Sequence, residues 1–173
     1  MLTEEQLFVR FKGKTVLLDS NLLLVLMAGA LGAQIFTRFK RVSDYTIKDY
    51  ELLVRLVRSF SVLLTTPHIL TEVSNLANGL PSWCKSDWSA NFASLFVSNR
   101  GSIQVRECWT PAAELARMPE FFAFGIADCA IAGQSNQALI VTEDYRLSGK
   151  LRSRNVPVVN FRDIRNHQRL YRS

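Results

Sequence analysis

Short apolar runs alternate along this chain with longer segments whose apolar positions recur every three or four residues. The first run, TVLL at 15–18, is preceded by Gly13 and Lys14 and followed at once by Asp19, and reads as a buried strand. Similar runs occur at Val62–Leu64, at Ile103–Val105 (extending toward Trp109), at Ala138–Val141 and at Val156–Phe161. The last belongs at a sheet edge, because Pro157 lacks a ladder donor.

Between these runs the period changes to that of helices. A short helix is expected over Thr3–Phe11. The stretch Leu22–Phe36, with Ser20 or Asn21 to cap it, is apolar nearly all round and belongs inside the fold or at a subunit contact. Thr46–Phe60 is amphipathic, with Ile47, Tyr50, Leu53, Val54 and Val57 on one stripe. Pro67 opens a helix through Ile69, Glu72, Val73, Leu76 and Ala77 that ends near Gly79 and Pro81. After a loop at Trp83–Asp87, Trp88–Asn99 is helical with Phe92, Leu95 and Phe96 inward, closed by Arg100 and Gly101. A helix start follows at Thr110–Pro111, then the small-residue helix GIADCAIAGQS, then a short basic helix over Leu147–Ser153. A basic tail, 162–173, is expected to fray. Strands alternating with helices predict an α/β domain with a parallel or mostly parallel sheet covered on both faces.

With 173 residues, one domain with a full core is expected. The formal charge of +6 makes a polyanionic partner plausible without requiring one. Cys84, Cys108 and Cys129 form no CxxC or Cys/His cluster, so neither a zinc site nor a disulfide framework is indicated, and buried thiols in a reducing cytoplasm are expected. The most apolar segment, Leu22–Ala33, is well short of the ~20 residues a membrane span needs. No export signal is read at the N-terminus, so a cytoplasmic, non-membrane protein is expected.

Four acids stand at comparable boundaries. Asp19 and Asp144 follow apolar strands, where open α/β sheets place their ligands. Glu72 and Asp128 lie beside the buried stripes of two helices, Asp128 in a first turn where the helix dipole favours its ionised form. Taken singly, each has a plainer role as a cap, an Asx turn or a solvated helix acid. Taken together, clustered carboxylates repel, and a hard divalent cation is the economical explanation.

The successive segments TVLLDSNLLL, PHILTEVSNLA, FGIADCAIAGQS, ALIVTEDYRLSGKL and VPVVNF resemble, in order, the motifs of PIN-domain nucleases, over about Thr15 to Ile164. The resemblance implies a single PIN-like domain, a three-layer α/β/α sandwich with a central mostly parallel sheet. It implies a metal-dependent endoribonuclease acting on single-stranded or structured RNA, with Mg2+ or Mn2+ as cofactor. Asp19, Glu72, Asp128 and Asp144 would be the catalytic quartet, with Asp19, Asp128 and Asp144 holding metal and Glu72 as ligand or water-orienting group. Asn21 and Thr142 match the polar positions that orient such acids. The chemistry implied is in-line attack of an activated water on phosphorus, leaving a 5′-phosphate and a 3′-hydroxyl. Many small members are toxins held by an antitoxin, so an antitoxin partner and a homo-oligomer are among the expectations.

Arg146, Lys150, Arg152 and Arg154 cluster just beyond Asp144, as a nucleic-acid-contacting rim or an ordinary solvated face. Trp83 and Trp88 flank a loop, for base stacking or for packing. His68 and His167 sit in no nucleophile–base arrangement. A haloacid-dehalogenase phosphatase also carries an Asp after its first strand, but needs a second Asp two residues on, where this chain has Asn21. The alternative to an enzyme is a catalytically silent PIN-like module for RNA binding or protein interaction.

Overall fold

The computed structural model describes residues 3–97, 103–119, 121–134 and 136–170. Its five strands are β1 (Thr15–Leu18), β2 (Val62–Thr65), β3 (Gln104–Glu107), β4 (Leu139–Thr142) and β5 (Val158–Asn160). All pair in parallel, in the order β3-β2-β1-β4-β5. Helix α1 (Glu4–Phe11) precedes the sheet. Between β1 and β2 run α2 (Ser20–Gly29), α3 (Ile35–Arg38) and α4 (Ile47–Arg58). Then come α5 (Pro67–Leu76) and α6 (Lys85–Val97), α7 (Ala112–Leu115) and α8 (Phe121–Gly133), α9 (Tyr145–Ser153), and finally α10 (Phe161–Leu170). The result is the expected three-layer α/β/α sandwich, with an all-parallel sheet.

A parallel sheet covered on both faces needs strands that are apolar throughout. β1, β4 and β5 are buried at every residue, whereas β3, at the edge, is largely exposed. β5 is the other edge, as Pro157 requires. The chain leaves β1 toward β2 and β3, then returns to lay β4 on the other side of β1. The direction of winding therefore reverses between β1 and β4, and the crevice at their carboxyl ends is where such sheets receive ligands. Among the described residues no helix is long and apolar enough to cross a membrane.

Several boundaries differ from expectation, each for a tertiary reason. Asp19, not Ser20 or Asn21, caps α2, because its carboxylate accepts from the Leu22 amide. The apolar stretch Leu22–Phe36 is two helices rather than one. α2 stops at Gly29, where a Cβ would lie 2.2 Å from the Tyr50 ring, and Gly32 turns the chain with φ +106°. On α4 the buried residues are Asp49, Leu52, Leu53, Leu56 and Val57, while Ile47 is exposed. Helix α6 begins at Lys85, inside the expected loop, with Trp88, Phe92 and Leu95 against the core and Phe96 exposed. Its expected end at Asn99–Gly101 lies outside the described residues. α8 is kinked at Gly125, whose φ of 82° and extended ψ interrupt it. The tail expected to fray is helical as α10 through Leu170, and 171–173 lie outside the described residues.

Candidate functional site

Asp19 ends β1 and begins α2, and is only 5% exposed. Its amide continues the sheet by donating to Val141 O (3.1 Å). Its carboxylate accepts three hydrogen bonds: Oδ1 from Leu22 N (2.8 Å), and Oδ2 from Glu143 N (3.0 Å) and the Thr142 hydroxyl. Burial pushes this carboxyl up to about 6, with the three hydrogen bonds opposing. The Thr142 hydroxyl also accepts from Asp144 N (3.0 Å), so one buried oxygen ties together the two strand ends that carry acids. This is the orienting role expected of Thr142.

Asp144 caps α9, with Oδ1 accepting from Arg146 N (2.6 Å) and Leu147 N (3.1 Å). Glu72 lies on α5, exposed, and its Oε2 accepts from the Ser20 hydroxyl (2.7 Å) in the first turn of α2. Asp128 is the third residue after the break at Gly125, so the second half of α8 starts just before it, in agreement with the expected first-turn position. No hydrogen bond or ion pair reaches its carboxylate among the described residues. Burial raises the Asp128 carboxyl to about 7, reinforced by the negative charges of Asp19, Glu72 and Asp144, in that order. All four acids thus share one electrostatic environment. They do not converge on a point: among the described residues no three Asp, Glu, His or Cys side chains form a ready group for a metal ion.

Asn21 departs from expectation. As the second residue of α2 it faces outward, exposed, and among the described residues it makes no hydrogen bond to the four acids. The Leu22 and Glu143 amides orient Asp19 instead. Glu143 turns away to another partner set, accepting from Tyr45 Oη (2.7 Å) and pairing with Arg165 (2.6 Å).

The basic rim is divided. The Arg146 guanidinium lies 5.5 Å from the centroid of Phe124, close to the acids. Arg152 is taken up by Glu4 (2.8 Å) and Asp163 (3.7 Å), holding α1 and α10 to α9. Lys150 is one helical turn beyond Arg146, about 6 Å further from the acids along the axis, and Arg154 follows α9 as its C-cap. Trp83 is partly exposed in a single 3₁₀ turn, and Trp88 packs beside Phe92.

A cleft of about 540 Å³ adjoins Glu72 and Asp128, walled by α5 on one side and Phe124–Asp128 on the other. Trp109, which the motif reading passed over, stands in it with its ring stacked on His68 at 6.0 Å. The signal was available: Trp109 lies two residues past the end of β3, at the same carboxyl edge as Asp19 and Asp144.

Comparisons with protein-family models, curated proteins and solved structures find no match to this chain.

Proposed function

We propose that this chain is a divalent-metal-dependent endoribonuclease of PIN type, with Asp19, Glu72, Asp128 and Asp144 as its catalytic centre. One observation carries the reading: Asp19, Glu72, Asp128 and Asp144 come from four separate parts of the chain, yet the charges of the other three add to burial in raising the Asp128 carboxyl to about 7. Repulsion of that kind is a cost to folding, and a site for a cation gives it a purpose.

The donor set fits a hard cation, since every candidate ligand is a carboxylate oxygen and Asp128 has no competing partner among the described residues. Asp19, Asp128 and Asp144 would hold Mg2+ or Mn2+, which when bound supplies charge neutralisation at the phosphate and acidifies a water. The chain's own residues do the rest. Thr142 fixes Asp19 relative to Asp144. Ser20 holds Glu72 at the rim, placed to orient a water. Arg146, stacked on Phe124, offers a positive charge to a phosphate beside the acids.

The second reading, a PIN-like interaction module, draws on the exposed apolar side chains of α8: Phe122 is fully exposed, and Phe121 and Ile126 are 36% and 39% exposed. An antitoxin or a second copy of the chain would cover such a surface.

Incubation with mixed-sequence single-stranded RNA separates the two. The nuclease reading expects fragments with 5′-phosphates in Mn2+ or Mg2+, none in EDTA, and none from Asp128→Asn, whose carboxylate bears no structural hydrogen bond. Cleavage that survives EDTA or the substitution would reject it. Intact RNA in every arm would favour the module.

A further inference from the structure

We propose that the cleft between α5 and the kinked segment of α8 is a nucleobase subsite, in which Trp109 and His68 form the platform for a base beside the scissile phosphate. The inference rests on the nuclease reading for its phosphate and goes beyond it in assigning the base a place.

α5 is built with two faces. Thr66 caps it and Pro67 occupies its first turn. Ile69 and Val73 are buried against the core. His68, Thr71, Glu72 and Asn75, spaced i, i+3, i+4, i+7, share another face, and all four line the cleft. The opposite wall exists because Gly125 takes φ +82°, a conformation that breaks α8.

Trp109 is 68% exposed, unusual for the largest aromatic side chain, and it covers no core. Its ring is stacked on His68 with 27° between the planes, so the imidazole backs one side of an indole that is otherwise largely open. His68 Nδ1 is buried without a hydrogen-bond partner among the described residues, so the platform retains unused polar capacity.

The chemistry of the walls selects the ligand. Glu72 and Asp128 disfavour an anion inside the cleft, which leaves neutral or cationic occupants and keeps a phosphate outside it. The aromatic platform favours a planar π system. The Asn75 amide offers donors and an acceptor to a polar edge, and the Thr71 hydroxyl, which donates to Pro67 O (2.8 Å), offers an acceptor. A nucleobase has all three properties. Arg146, on the Phe124 ring that also lines the cleft, stands where the attached phosphate would leave it.

The test uses neutral nucleosides, so that it depends on neither metal nor cleavage. Adenosine, guanosine, cytidine and uridine are titrated in EDTA while the indole N–H signals are followed by NMR. The Trp109 signal is assigned by its loss in Trp109→Phe. At least one nucleoside is expected to shift that signal saturably; followed in the variants by the side-chain amide signals of Asn75, which lines the cleft, its affinity is expected to fall about ten-fold in Trp109→Ala and less in Trp109→Phe. Ribose 5-phosphate is expected to leave it unmoved. A Trp109 signal that no nucleoside shifts, unchanged affinity in Trp109→Ala, or an equal response to ribose 5-phosphate would overturn the subsite. Absence of RNA cleavage with nucleoside binding intact would instead reject the nuclease reading alone.

Discussion

Thr142 does what an aliphatic residue at the end of β4 could not. Its buried hydroxyl donates to Asp19 and accepts from the Asp144 amide, so two acids on neighbouring strands are held through one atom. Asp128 is the opposite case, a carboxylate with like charges around it and no donor among the described residues. Its carboxyl is raised to about 7 from an ordinary 3.8, so the folded chain keeps a proton there that the unfolded chain has released between those values. Stability from this group is therefore full below about pH 4 and declines as pH rises through about 7. In metal-free buffer, Asp128→Asn is expected to melt with the wild type near pH 4 and above it at pH 8, the gap opening through about pH 7. Calorimetry across that range checks this, and a gap independent of pH would contradict it. At this scale the sequence was informative about Asp19, directly after β1, and Asp144, two residues past the end of β4, because an acid at the end of an apolar run is visible in one dimension. The plainer expectation for both also holds, since each caps a helix. A cap and a site residue are the same side chain when the helix starts at the carboxyl edge of the sheet.

Helix α10 shows what one dimension conceals. Its basic residues read as a fraying tail, but Arg165 is 8% exposed and reaches four separate groups. It pairs with Asp49 (3.1 Å) and Glu143 (2.6 Å), donates to Asp44 O (3.0 Å), and lies over the Tyr45 ring. Its partners stand 116 and 22 residues away, so no local periodicity announces them. Arg165→Ala removes the guanidinium from two enclosed carboxylates and is expected to cost about 3 kcal/mol in urea unfolding. Arg165→Lys should recover little of it, since an ammonium cannot fork between Asp49 and Glu143. A cost near zero would show that α10 is not anchored here. The break between α2 and α3 was hidden for a related reason. An apolar run reads as continuous helix, but the chain turns at Gly32 with φ +106°, and Gly29 is where the Tyr50 ring of α4 packs in the space a Cβ would fill.

For the whole molecule, alternation of strand and helix was enough to predict the layered architecture, because a parallel sheet must be wrapped on both faces. Strand order was not legible, and strand order is what makes the site. Placing β4 beside β1 joins Asp19 to Thr142, while packing of α2 on α5 brings Ser20 to Glu72. The acids thereby occupy one edge of the sheet in a chain whose formal charge is +6. The claim that Asp19, Asp128 and Asp144 hold a cation, with Glu72 beside it, is tested most directly by calorimetric titration of Mn2+ into the protein near pH 6.5. Saturable binding is expected, with proton release visible as a dependence on buffer ionisation enthalpy, because the cation displaces a proton from the carboxylate group. Asp128→Asn should abolish both. Mn2+ binding unaltered by that substitution, or no binding by the wild type, would contradict the account.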